Sequence, residues 1–179
     1  LGPVTAIPTP PTGQGRLDAI RKASRENALH RIGISTGGTV HPCLGVVTEA
    51  KSEIIPDHQG LNFPCGLSEF YVVVLNDGLA TAWAHACHPR FAGTRVATLA
   101  LGTGVGFGLV DRGRILMGSG GEYPRLNDLR SPSGEAYEEL LGGAHQTGTS
   151  AKELSPIAQE LIATIRRLYM PEHLVLCGG

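Results

Sequence analysis

The chain has 179 residues, and its 15 basic and 16 acidic side chains give a formal net charge of −1. This balance argues against a nucleic-acid surface, which usually carries a basic excess. The longest uncharged apolar run lies between Arg95 and Asp111 and is shorter than the roughly 20 residues of a membrane span. The four cysteines are scattered without a C-x-x-C pair, so we expect reduced thiols and a cytoplasmic protein with no membrane partner.

The first half of the chain reads as alternating helices and strands. Helical spacing of apolar residues predicts a helix over 16–29, and β-branched runs predict strands over 31–35, 44–50 and 70–75. The segment 36–42, "TGGTVHP", reads as a turn. A second helix is predicted over 78–88 and is stopped by Pro89.

The second half continues this alternation. A strand is predicted over 94–101, and a hairpin follows with its turn at Asp111-Arg112-Gly113. A short helix is predicted over 131–143 with Ser131 or Ser133 as its N-cap. A long amphipathic helix over 151–171 and a strand over 172–179 complete the pattern.

The segment "LALGTGVGFGLVDRG", residues 99–113, places glycine at every second position from Gly102 to Gly108. A strand rather than a helix follows it, which excludes a dinucleotide-binding fingerprint, and no G-K-[ST] closes it, which excludes a P-loop. Two interpretations remain open. The glycines could form a hairpin whose backbone N–H groups cradle a phosphate, or a glycine-rich hairpin packed under another strand.

The neighbouring motifs favour the first interpretation. A strand ending in Asn76-Asp77 precedes the turn Gly102-Thr103-Gly104-Val105-Gly106-Phe107-Gly108, and a hairpin and the segment Gly118–Glu122 follow it. This block resembles the ROK family of sugar kinases and sugar-responsive repressors. Upstream "IGISTGGTVHPCLGVV" and downstream "YEELLGG" and "HLVLCGG" look like flanking motifs of the same family, in the same order.

The resemblance implies a two-lobe α/β fold of the actin-like ATPase (ribonuclease H-like) class. We expect a small lobe over 1–92 and a larger lobe over 93–179. Family members open with a strand and a D-x-G-G-T turn and continue beyond the final glycines, so the fold is expected to be incomplete at both ends. At full length the resemblance implies a homodimer.

The resemblance also implies roles for particular residues. Asp77 would be the general base that accepts the proton of the attacked sugar hydroxyl. From the residues alone Asp77 is equally a helix N-cap, and it could play both parts. The sugar would be held by Asn76, Glu122 and Glu138, although either glutamate alone reads as solvated surface. His58, or its neighbour Asp57 or Gln59, would reach the sugar from the loop after the second strand. ATP would be held by Gly102, Thr103, Gly104, Gly106, Gly178 and Gly179.

The implied function is ATP-dependent phosphorylation of a hexose, as in a glucokinase, with ATP and Mg²⁺ as cofactors and no nucleic acid as partner. The alternative is the sugar-sensing domain of a transcriptional regulator without kinase activity. No structural zinc is expected, because Arg125 stands where many members have a zinc-binding histidine and "NDLRSPSGE" replaces their cysteines. We predict no metal-binding residues in this chain.

Overall fold

The computed structural model describes residues 4–51, 53–102, 104–118, 121–126, 129–143 and 151–178. Within them the chain forms two compact units, residues 1–76 and residues 77–179. No helix in the described part of the chain is both long and apolar enough to cross a membrane. The α/β class expected from the sequence is confirmed.

In its described residues the first unit has two helices and four strands: α1 (Gly13–Glu26), β1 (Arg31–Thr36), β2 (Thr39–His41), β3 (Val46–Glu49), α2 (Phe63–Gly66) and β4 (Tyr71–Asn76). Strands β1 and β4 pair in parallel, and β2 and β3 form an antiparallel hairpin. The core joins helix, hairpin and strand residues, namely Leu17, Val40, Val47, Phe63, Leu67 and Val74.

The N-terminus of α1 is tied to the loop that follows β3. Thr12 caps the helix by accepting a hydrogen bond from the Gly15 N–H at 3.0 Å. The buried Arg16 guanidinium donates to the carbonyl oxygens of Pro56 and Asp57, both at 2.7 Å. These charge-assisted hydrogen bonds fix the loop at 56–58 against the helix.

The second unit contains α3 (Asp77–Ala86), a 3₁₀ turn (Pro89–Phe91), β5 (Arg95–Leu101), β6 (Val105–Asp111), β7 (Arg114–Ile115), α4 (Tyr137–Leu141), α5 (Ala151–Tyr169) and β8 (His173–Gly178). Its sheet has the order β7-β6-β5-β8, in which only the β5–β8 pair is parallel.

Successive side chains of β5 point to opposite faces of the sheet, and helices cover both faces. Ala97 and Leu99 point into a core shared with α4 and α5, whereas Val96 packs with Ala82 and Ala86 of α3. Helix α3 therefore packs with the second unit. The two compact units meet in the sequence after Asn76, and the expected lobes over 1–92 and 93–179 stay a prediction.

Two local predictions were wrong. The segment 36–42 contains a short strand, β2, because Val40 is buried against the hairpin partner. The helix predicted over 131–143 is only Tyr137–Leu141, with Ala136 rather than a serine at its N-cap. The Ser131 hydroxyl instead lies 2.6 Å from that of Ser133, and the Ser131 N–H donates to the Glu135 carbonyl, so the serines form a turn.

Candidate functional site

The glycines of β6 let helix α3 lie unusually close to the sheet. A β-carbon at Gly108 would sit 2.5 Å from Ala82 Cβ and 2.9 Å from the Gly78 carbonyl oxygen. A β-carbon at Gly106 would sit 3.6 Å from Gly78 Cα. Because glycine lacks that carbon, the first turn of α3 rests directly on the strand. Gly108 thus serves helix packing, and Gly106 lies in ordinary contact distance of the same helix, a third role that neither sequence interpretation included.

The glycine turn itself lies at the carboxyl end of β5. The Gly102 N–H donates to the Gly104 carbonyl oxygen at 3.0 Å, which closes the turn between β5 and β6. A β-carbon on Gly102 would meet no atom within 4 Å among the described residues, so one side of the turn is open. On that side, no described atom would block a phosphate from approaching the backbone of the turn.

Strand β8 brings the late glycines to the same edge. It pairs in parallel with β5, and Leu101 lies opposite Gly178. Gly178 has a φ of +142°, and a β-carbon there would lie 1.8 Å from the Leu101 carbonyl oxygen, so only glycine fits. The carboxyl ends of neighbouring parallel strands are where open α/β sheets bind ligands. Gly102, Gly104 and Gly178 are therefore together; Thr103 and Gly179 lie outside the described residues.

Glu138 reaches the glycine turn from helix α4. Its Oε1 would lie 3.4 Å from a β-carbon on Gly104, so the carboxylate borders the turn. The residue before it anchors the helix: the Tyr137 side chain is buried, and its hydroxyl donates a short hydrogen bond to Glu160 Oε1 on α5. Burial, reinforced by that bond, raises the pKa of Tyr137 above its usual range. No pattern in the sequence indicated that Tyr137 anchors α4 in this way.

Asp77 begins α3 at the point where the helix rests on β6. Its Oδ1 accepts a hydrogen bond from the Gly78 N–H at 2.9 Å, and its carbonyl oxygen accepts from Thr81 Oγ1 at 2.8 Å. The carboxylate is solvent-exposed at the positive end of the helix. Asp77 is thus the first residue of the helix rather than the capping residue before it, and its role as general base stays a prediction.

Asn76 precedes Asp77 at the carboxyl end of β4, in the first unit. Its side-chain Nδ2 donates to the Gly38 carbonyl oxygen at 2.8 Å. Thr36, at the end of β1, is its register partner. The amide is thus held at the end of the β1–β4 pair.

Three predicted contacts find less support. Glu122 is exposed and folds over Gly118, where its Oε2 would lie 2.6 Å from a β-carbon. His58 is only 2% exposed, and its Nε2 already lies 2.9 Å from Thr36 Oγ1, so a direct sugar contact would have to displace an internal one. Gly106 faces α3. Their roles as ligand contacts stay predictions. No three His, Cys, Asp or Glu side chains of the described residues cluster as a metal site would.

No protein-family model and no curated protein matches the chain by sequence. Solved structures do match it by shape. The ROK hexokinase from Thermus thermophilus superposes with a TM-score of 0.75 at 23% identity, covering 97% of this chain and 72% of that one. The inorganic polyphosphate/ATP-glucomannokinase from Arthrobacter sp. strain KM gives 0.74 at 24% identity, covering 100% and 74%.

The chain has the ROK fold. A ROK family transcriptional regulator, a homologue of the E. coli MLC protein, superposes with a TM-score of 0.68 at 19% identity, covering 91% of this chain and 55% of that one. Solved structures with this fold thus include kinases and a regulator, so the fold alone does not determine the function.

Proposed function

We propose that this protein is an ATP-dependent hexose kinase of the ROK type, in which Asp77 is the general base. The observation that carries the proposal is that α3 begins at Asp77, directly before Gly78, whose backbone lies against Gly106 and Gly108 of β6. The same strand leads back to the turn at Gly102–Gly104. Asp77 and the glycine turn therefore belong to the same compact unit, in which α3 packs on β6.

We propose the following roles for the individual residues. The turn at Gly102–Gly104, with Gly178 beside it, presents backbone to the ATP phosphates. Asn76 and Glu138 offer an amide and a carboxylate to sugar hydroxyls, which suits directional hydrogen bonding to a polyol. Asp77 accepts the proton of the hydroxyl that attacks the γ-phosphorus. Phosphoryl transfer needs chiefly positioning and charge stabilisation, so one such carboxylate is enough.

Mg²⁺ is implied by this reaction as the ion that bridges ATP phosphates and neutralises their developing charge. It commonly binds through one or two carboxylates together with phosphates and waters. In this proposal Asp77 and Glu138 are engaged with the sugar, so the ion would be held chiefly by the ATP phosphates and waters; the described residues contain no group of three His, Cys, Asp or Glu side chains that could hold it alone.

The experiment is a coupled ADP-release assay on the full-length protein with Mg-ATP and a panel of hexoses. Sugar-dependent ADP release supports the kinase. The second candidate, a sugar-sensing regulator, is favoured by the shape match to a ROK regulator. If calorimetry detects hexose binding but no sugar on the panel stimulates ADP release, the result would favour the regulator and contradict the kinase.

A further inference from the structure

His58 belongs to the loop after β3, and its ring faces the turn that joins β1 to β2. Its ring packs edge-on against Phe63, with centroids 6.2 Å apart and an interplanar angle of 71°. Its Nε2 lies 2.9 Å from Thr36 Oγ1 and 3.2 Å from the Gly37 carbonyl oxygen. A nearly fully buried ring thus makes its polar contacts with one short segment, Thr36 to Gly38, which we call the β1–β2 turn.

The carbonyl oxygen of Gly37 decides which ring nitrogen carries the proton. A carbonyl only accepts, so Nε2 must donate to it, and the neutral ring is the Nε2–H tautomer. Nδ1 is then a buried acceptor, without a hydrogen-bond partner among the described residues. A second proton would create a buried donor there, close to the Arg16 cation. The ring is therefore built to act as a neutral donor toward the turn.

The backbone of the β1–β2 turn is conformationally restricted at Gly38. Gly38 has a φ of +83°, and a β-carbon there would lie 2.6 Å from the Glu49 carbonyl oxygen. The carbonyl of the same residue accepts from Asn76 Nδ2 at 2.8 Å. Because that carbonyl cannot donate, it fixes which end of the Asn76 carboxamide carries the NH₂ group.

We infer that His58 is a positioning residue: it holds the β1–β2 turn, and through the Gly38 carbonyl it orients the Asn76 amide for a sugar hydroxyl. The inference rests on the proposed function, in which Asn76 contacts the sugar. It replaces the expectation that His58 itself touches the sugar. The Nε2 contacts, the Gly38 geometry and the Asn76 hydrogen bond form one continuous chain of contacts within the first unit.

The test compares two variants of His58 in the full-length protein. His58→Phe keeps an aromatic ring but removes the Nε2 donor, whereas His58→Gln restores an N–H donor near the position of Nε2. Since an oriented Asn76 would bind substrate and transition state alike, His58→Phe should raise the hexose KM and Kd about 3- to 10-fold with little change in kcat. His58→Gln should recover most of the affinity. The exposed His30 gives the matched control, His30→Phe, which should behave as wild type.

A second readout does not depend on activity. The side-chain amide resonances of Asn76 in ¹⁵N NMR spectra should shift in His58→Phe and stay near wild type in His58→Gln. If His58→Phe does not fold, Thr36→Val is the substitute test. It removes one contact of the same ring without altering the histidine, and it should shift the same Asn76 resonances. Unchanged Asn76 resonances together with unchanged hexose affinity would overturn the inference.

Equal loss of affinity in both His58 variants would also overturn it, because that result points to direct contact between the imidazole and the sugar. If the wild type neither binds nor phosphorylates a hexose, the proposed function fails. The Asn76 resonances still report in that case whether His58 controls the amide, so the two failures are distinguishable.

Discussion

Replacing Gly108 by alanine tests the claim that the glycines of β6 position Asp77. The new β-carbon would lie 2.5 Å from Ala82 Cβ, 2.9 Å from the Gly78 carbonyl oxygen and 3.2 Å from Leu79 Cα. Carbon atoms in contact normally lie about 3.5–4.0 Å apart, so α3 has to move by about 1 Å. Backbone atoms on the helix side cannot rotate away as a flexible side chain would.

This displacement has two measurable consequences. Overpacking of this kind costs about 1–3 kcal/mol of stability. The melting temperature should therefore fall, at roughly 2–4 °C for each kcal/mol in a chain of this size. Because α3 begins at Asp77, a shift of about 1 Å should also lower kcat/KM on the order of 10²-fold. The assays are thermal unfolding and coupled ADP release.

Gly33→Ala is the matched control. Gly33 lies in β1, where an added β-carbon would meet nothing within 4 Å among the described residues. We expect wild-type activity and a small change in stability of either sign. Ala82→Gly in the Gly108→Ala background removes the closest contact, so a double-mutant cycle should show favourable coupling between the two sites. A Gly108→Ala protein with wild-type melting temperature and kcat/KM would refute the reasoning.

Three further predictions follow from the same structure. Burial and the nearby Arg16 cation lower the pKa of His58 below 6.5, so the unfolded chain takes up this proton first. The stability that His58 contributes is complete above pH 6.5 and is lost as the pH falls through its lower folded-state pKa. The melting temperature should therefore change less between pH 8 and pH 5 in His58→Gln than in the wild type. An equal change in both proteins would contradict this. Glu138→Gln should raise the hexose KM about 10- to 100-fold with a smaller effect on kcat, as expected for a charged hydrogen-bond acceptor; an unchanged KM would remove Glu138 from the sugar site. Elemental analysis of the purified protein should find no stoichiometric tightly held zinc, and one zinc per chain would contradict that expectation.

The sequence predicted most elements because their signals are local. The β-branched run before Asn76 and the Pro89 stop of α3 need no tertiary information. Strand β2 escaped prediction because three residues carry too little pattern, and Val40 is buried only through its partner strand. The serines at 131 and 133 have the chemistry of helix caps, but their competing side-chain hydrogen bonds form a turn instead.

In the candidate site, too, some features could be predicted from the order of motifs and others depend on tertiary distances. Order along the chain was enough to associate Asp77 with the glycine turn, since both belong to one stretch of recognisable motifs. It could not show that Gly106 and Gly108 serve α3, because that depends on the distance between a helix and a strand. Nor could it show that His58 faces inward. A histidine in a polar loop gives no indication of burial until the Phe63 ring and the β1–β2 turn enclose it.

The measurement that tests the central claim most directly is the steady-state kinetics of Asp77→Asn, paired with calorimetric hexose binding. Asparagine preserves the size and the helix-start hydrogen bond but cannot accept the hydroxyl proton as a base. We expect kcat to fall by roughly 10²–10⁴-fold, while the hexose Kd stays within a few-fold of wild type. A variant that binds hexose and turns over at the wild-type rate would contradict the assignment of Asp77 as general base.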